Sequence, residues 1–285
     1  MRKLALLCCV LALPLLAQNS LVDQAKAAIK NNDSEKAAEL LEQAIKQNPK
    51  NAEAHFLLGN AYGDMTQKAS MFGKASLAGK TKDEFEEAVR LDPNLLDART
   101  GLVQFYTMAP GIMGGSFDKA FEQANEIAKR DPLRGHRMRA FIYTHQDKKD
   151  LARAEYLAET KEYPSSARAH LDLGVFYLTE KNWAAAETEY QAAAKLEPNN
   201  MQPVFRLGQL AAQSGANLPR GEAQLRKYLT YTPKEDELPT ARAHYWLGLI
   251  YEKQGKKAEA KASYTAALKL NPLQKDAAEA LKRVS

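Results

Sequence analysis

Apolar and small residues return in one phase down the chain. Around His170 the series Leu173-Gly174, Phe176-Tyr177 is followed by Ala186, Tyr190, Ala193 and Pro198. Around His244 it returns as Leu247-Gly248, Ile250-Tyr251, then Ala260, Tyr264, Ala267 and Pro272, and Leu and Pro are again 25 positions apart. Around His55 it returns as Leu58-Gly59 and Tyr62, closing at Phe85, Ala88 and Pro93. Leu, Gly and Tyr at i, i+1 and i+4 share one side of a helix. The Gly admits a second helix closely. Ala-x-x-x-Tyr-x-x-Ala is the matching face of that second helix, with small residues as the hole and the aromatic as the knob. Pro cannot continue a helix and sets the turn into the next unit. The pattern therefore predicts helix pairs, one pair per period.

Read backwards from each Pro, the chain divides into seven such units and closes on an eighth short helix. The units span approximately 18–51, 52–95, 96–132, 133–166, 167–200, 201–235 and 241–274, with a cap helix over 275–285. This pattern resembles the tetratricopeptide repeat, a helix-turn-helix of about 34 residues. Units 5 and 7 match it almost completely. Unit 1 is degenerate, unit 4 has Arg139 where Leu is usual, and unit 6 has Ala211 for Tyr and Gly221 for Ala. The resemblance implies an all-α, right-handed superhelical solenoid in which each unit buries its apolar face against its neighbours.

The first seventeen residues follow a different rule. Arg2 and Lys3 precede an apolar run from Leu4 to Leu16, and Ala17 stands before Gln18-Asn19-Ser20. That is the pattern of a secretory signal peptide, and its 13 apolar residues are short of the roughly 20 that span a bilayer. Both cysteines, Cys8 and Cys9, lie inside it, so a cleaved chain has no disulfide, thiolate ligand or cysteine nucleophile. The expected location is periplasmic or secreted, with no transmembrane segment after cleavage. Loss of Arg2 and Lys3 lowers the net charge from +5 to +3. That is too little to point to nucleic acid.

Two departures from period stand out. Tyr62 and Thr81 are 19 positions apart, where Tyr177 and Ala186 are nine apart. If the ten extra residues divide between two helices, each gains about 1.4 turns. Tyr106 and Ala120 are 14 apart, an excess of five, and the insert Met108–Ser116 is too rich in Gly and Pro for helix. The insertions fall in adjacent units, so they are expected on one edge, where Met71, Phe72, Leu77, Ile112 and Met113 could pack together. They either shield one another or form a ligand lip. Gly111–Ser116 lacks the strand and the Lys-Ser/Thr pair of a phosphate loop.

No catalytic signature stands out. His55, His170 and His244 share one repeat position, which helix packing explains, and His136 and His145 are not an i, i+4 pair. No enzyme activity, metal or cofactor is expected. The resemblance places the first helix of each unit on the concave face. Five before the motif Leu stand Glu53, Asp97, Arg134, Arg168, Gln202 and Arg242; two before it stand Phe56, Thr100, Arg137, Leu171, Phe205 and Tyr245. Apolar anchors beside Arg compose a peptide-binding surface, and equally a solvated helix face with i, i+4 partners. The expected binding residues are Arg134, Arg137, Arg168, Phe205, Arg242 and Tyr245, for a protein or peptide with acidic groups and an apolar anchor. The expected role is a binding scaffold in an envelope or secreted assembly. The alternative is a small-molecule-binding or regulatory subunit using the insertion edge at Met71, Phe72, Ile112 and Met113.

Overall fold

Four of the repeats begin where a short polar side chain stops the chain and caps a helix. Asn51, Asp131, Ser166 and Asn200 each accept a backbone N–H from the first turn of the helix that follows. The computed structural model describes residues 21–234 and 237–285. The expected signal segment, 1–17, lies outside the described residues.

The chain is an all-α solenoid of helix pairs, and among the described residues no strand occurs. Residues 21–30 form α1, followed by α2 (Ser34–Gln47), α3 (Ala52–Lys68), α4 (Met71–Leu91), α5 (Leu96–Met108), α6 (Phe117–Ala128) and α7 (Pro132–His145). Then come α8 (Lys149–Glu162), α9 (Ala167–Thr179), α10 (Trp183–Leu196), α11 (Met201–Ser214), α12 (Leu218–Leu229), α13 (Thr240–Lys253), α14 (Lys257–Leu270) and α15 (Lys275–Val284). Two compact units share them: one ends at Ala152, and the other spans Arg153–Ser285.

The hole-and-knob reading of the repeat is literal. A Cβ on Gly174 would lie 2.5 Å from the Tyr190 ring, and one on Gly248 would lie 2.4 Å from the Tyr264 ring. Phe85 fills the space left by both Gly59 and Gly101. The turn between the two helices of a repeat is built alike in units 4, 5 and 7. A residue of positive φ (Asp147, Lys181, Gly255) lets the next N–H reach back to the carbonyl of Tyr143, Tyr177 or Tyr251, at 2.9 Å each.

The unit 2 insertion lengthens two helices. α3 has 17 residues and α4 has 21, against 13 in α9 and 14 in α10. The unit 3 insertion is a single 3-10 turn, Gly111–Met113, closed by Gly114 at φ 96° and by the Ser116 N–H on the Tyr106 carbonyl at 2.8 Å. It sits beside α4, with Gly114 close to the Lys82 side chain. Leu77 turns with Met65 toward the core of α1 to α3. Ile112 is 96% exposed, because the tight turn projects it away from the helices. The side chains of Met71 and Phe72 lie outside the described residues.

Candidate partner-binding face

The histidines of the shared position are struts. His55 Nδ1 meets Glu84 Oε2 at 2.5 Å and His170 Nδ1 meets Glu189 Oε2 at 2.6 Å; each Nε2 lies 3.1 Å from a proline carbonyl, Pro49 or Pro164. Arg99 holds the same place in unit 3, donating to the Pro93 carbonyl and to Gln123 Oε1. His244 is different, because Ser263 stands where units 2 and 5 have Glu84 and Glu189. Burial alone pulls its pKa below the usual histidine value.

The first helix of each repeat carries the charges singled out in the sequence. In the first compact unit, Arg134 on α7 pairs with Asp97 on α5 at 2.8 Å, one repeat earlier at the equivalent position. The Arg137 side chain, also on α7, is half-buried.

In the second compact unit, the exposed Arg168 on α9 pairs with Asp172 one turn along at 2.8 Å. Burial draws the Arg168 guanidinium pKa down, but the charge and hydrogen bond of Asp172, with Glu159 adding, hold it above the usual value. Arg242 on α13 pairs with Asp276 on α15 at 2.6 Å and stands 5.3 Å from the ring centres of both Tyr245 and Trp246. Tyr245 is half-buried, its ring 4.8 Å from Trp246, and burial followed by Asp276 raises its pKa. Phe205 is not available as an anchor. It is 1% exposed and packs edge-on against Tyr228 at 5.1 Å. The two-before-Leu position turns inward on α11, where it joins the core of units 6 and 7.

Arg206 was not among the sequence candidates. It lies one turn after Gln202, as Asp172 follows Arg168 and Trp246 follows Arg242, so tracking that turn beside the first would have found it. Its Nη1 donates to Gln209 Oε1 at 2.8 Å. Among the described residues no carboxylate lies within ion-pair distance. Burial pulls its pKa down first; Arg168 and Arg242 add to this, against Tyr190 and Asp172. The Tyr190 side chain is fully buried and its hydroxyl has no hydrogen-bond partner among the described residues. Burial also raises its pKa.

The face therefore carries two carboxylate-paired arginines, Arg168 and Arg242, on either side of a half-buried third that has no carboxylate. Paired guanidiniums retain unused donors, so the stretch can accept a carboxylate or phosphate. Among the described residues no group of three or more His, Cys, Asp or Glu converges as a metal site requires, and no helix is long and apolar enough to cross a membrane.

Comparison with known proteins agrees with this construction. Two family profiles, each described as a tetratricopeptide repeat, match residues 22–64 and 138–201, and residues 241–273. No curated protein matches in sequence. A tetratricopeptide repeat protein from Parabacteroides merdae is 18% identical, with a TM-score of 0.58 over 94% of this chain and 99% of that one. The human IFIT1 dimer with PPP-AAAA is 19% identical, with a TM-score of 0.62 over 94% of this chain and 63% of that one. Yeast Tom70 is 15% identical, with a TM-score of 0.59 over 89% of this chain and 58% of that one. At these identities the structural likeness speaks for the fold, and the family rests on the repeat matches and on the knob-and-hole packing that reproduces them. The chain belongs to the tetratricopeptide-repeat family.

Proposed function

We propose that this chain is a scaffold that binds a protein or peptide along the first helices of its second compact unit, and that it works by binding rather than by catalysis. The observation that carries the reading is Arg206. A half-buried guanidinium without a carboxylate, on a helix between those that carry Arg168 and Arg242, is matched by an acidic group supplied from outside. Tyr245, half-exposed beside Arg242, offers an apolar anchor of the type that concentrates binding energy. The reading keeps Arg168, Arg242 and Tyr245, adds Arg206, drops Phe205, and leaves Arg134 and Arg137 as a separate patch in the first compact unit. A partner bearing acidic groups and one apolar side chain fits this composition.

The cationic start, short apolar run and Ala17 support export from a bacterial cytoplasm, with binding in the periplasm or a secreted assembly. Intact mass of the protein from an envelope fraction tests export, and a full chain with Met1 in the cytoplasm ends it. The binding reading is tested by co-purifying the partner with the mature protein and measuring association at two salt concentrations. Arg206→Ala is expected to weaken binding about tenfold or more, through both loss of charge and an unpaired partner carboxylate. Arg168→Ala and Arg242→Ala slow association more modestly and reduce its salt dependence. Binding unchanged in all three variants would remove this face from the interaction.

A further inference from the structure

One repeat lacks the tyrosine that closes its neighbours. Four residues after the motif Leu, unit 5 has Tyr177 and unit 7 has Tyr251, but unit 6 has Ala211. The neighbouring helices fill only part of the space that the ring would occupy. α12 comes so close that a Cβ on Gly221 would lie 2.3 Å from the Ala211 Cβ. On the α10 side a half-open cavity of about 240 Å³ remains, lined by Trp183, Leu207, Leu210 and Ala211 with Glu187 and Arg220 at its polar edge.

The rest of the chain indicates what such a position holds. In three of the five repeats that have the tyrosine its hydroxyl meets a carboxylate of the preceding helix: Tyr62 with Glu42 at 2.7 Å, Tyr106 with Glu86 at 2.5 Å, Tyr251 with Glu222 at 3.0 Å; Tyr143 and Tyr177 make no such bond among the described residues. Glu187 is the exact repeat counterpart of Glu222, each one residue after the small residue of its helix, Ala186 or Gly221. Glu187 Oε1 already accepts from Gln191 Nε2 and Arg220 Nη1, both at 2.9 Å, while Oε2 carries no hydrogen bond among the described residues. The acceptor that a tyrosine would use is thus in place, and the tyrosine is not. The volume is sufficient, since a cavity of about 150 Å³ lined by apolar side chains already takes up benzene.

We propose that this cavity is a binding site for a phenolic ring supplied from outside the chain, the side chain of a tyrosine in a protein partner. The ring lies against Trp183, Leu207 and Leu210, and its hydroxyl donates to Glu187 Oε2. This extends the scaffold reading to a second, separate point of contact and rests on it only for the source of the ring.

The test is titration of the full mature chain with p-cresol, toluene and N-acetyl-tyrosine amide, followed at the Trp183 indole N–H by NMR. p-Cresol and the tyrosine amide are expected to bind saturably, and toluene at least about fivefold more weakly for want of the hydrogen bond. Glu187→Gln should weaken p-cresol about tenfold and leave toluene unchanged. Ala211→Tyr, which places the ring covalently, should abolish binding of all three. Equal affinity of p-cresol and toluene, insensitive to Glu187→Gln, would overturn the phenol assignment. So would undiminished p-cresol binding to a folded Ala211→Tyr protein. Binding of p-cresol without the tyrosine amide would give the cavity to a free small phenol and overturn the partner tyrosine. None of these outcomes bears on the scaffold reading, which is judged at Arg206 with the co-purified partner.

Discussion

Repeats 6 and 7 are neighbours with the same helix-turn-helix plan and opposite solutions to its central contact. In repeat 7 the Tyr251 ring stands against α12; Arg226 donates to its hydroxyl at 2.5 Å, and the hydroxyl donates to Glu222. In repeat 6 Ala211 offers only a methyl and stands ten positions before Gly221, where Tyr251 stands nine before Ala260; the turn runs through Gly215 and Asn217, both at positive φ. The two helices of repeat 6 close on each other until Ala211 and Gly221 nearly touch, and what they cannot close stays open as the cavity beside Trp183. A solenoid accommodates a lost knob by local approach because each repeat answers only to its neighbours. The cost is an incompletely filled space, and the gain is a place that something else can enter.

The comparison breaks most visibly at Tyr251. Tyr251→Ala removes a buried ring and two hydrogen bonds from a repeat that has no close approach in reserve, and should cost about 3–5 kcal/mol in urea unfolding. A loss under about 1 kcal/mol would mean that repeat 7 can close as repeat 6 does. Gly221→Ala comes next. The new methyl meets the Ala211 Cβ at 2.3 Å, so overpacking should cost about 1–3 kcal/mol, with hydrogen exchange loosening in α11 and α12 first. The same residue is ordinary at Ala186 and Ala260, and a neutral result would show that the closeness of repeat 6 is not needed.

Ala211→Tyr works in the other direction. Filling the cavity should stabilise the chain by about 0.5–2 kcal/mol, read as a rise in thermal midpoint. Destabilisation would mean that the extra residue between Ala211 and Gly221 has closed the space to any ring. A smaller effect is expected between Tyr190 and Tyr264, buried at the same position of α10 and α14. Tyr264 donates to Glu252 Oε2 at 2.6 Å, whereas the Tyr190 hydroxyl has no partner among the described residues. Tyr264→Phe should lose about 1 kcal/mol and Tyr190→Phe should lose nothing or gain slightly. Equal losses would reveal a partner for Tyr190.

The smallest effect is on pH. His244 is held below its unfolded value by burial, with Arg226 and Glu259 lining the same cleft. Between the two values the unfolded chain binds more protons than the folded one, so stability is full above the unfolded value of 6.5 and declines as pH falls through it. Substituting His244 with Gln should flatten that decline in melts between pH 7 and 5. An unchanged profile would assign it elsewhere.

The repeat plan was legible because knob and hole are both residue types. Leu-Gly-x-x-Tyr and Ala-x-x-x-Tyr-x-x-Ala name the contacts that Gly174 with Tyr190 and Gly248 with Tyr264 make. The face was legible only in part. Charge and position identified Arg168 and Arg242, but not that Asp172 and Asp276 already pair with them. Phe205 reads as an anchor by analogy with Tyr245. It is buried because the same repeat position turns outward on α13 and inward on α11. Arg206 escaped because the reading followed one turn of each first helix and Arg206 stands on the next, and because its lack of a carboxylate among the described residues is recorded by no single position.

The sequence by itself determined the element types, the repeat period, the turn residues and the site of each irregularity, because all of these depend on residues within one or two helical turns of each other. The departure of Ala211 and Gly221 from the pattern was visible there. Only the tertiary structure decided what the departure became: helices drawn together on one side and a cavity with a waiting carboxylate on the other. It likewise decided which arginines are paired. These outcomes depend on distances between helices, and those are set by how far each neighbour can move before its own contacts are lost.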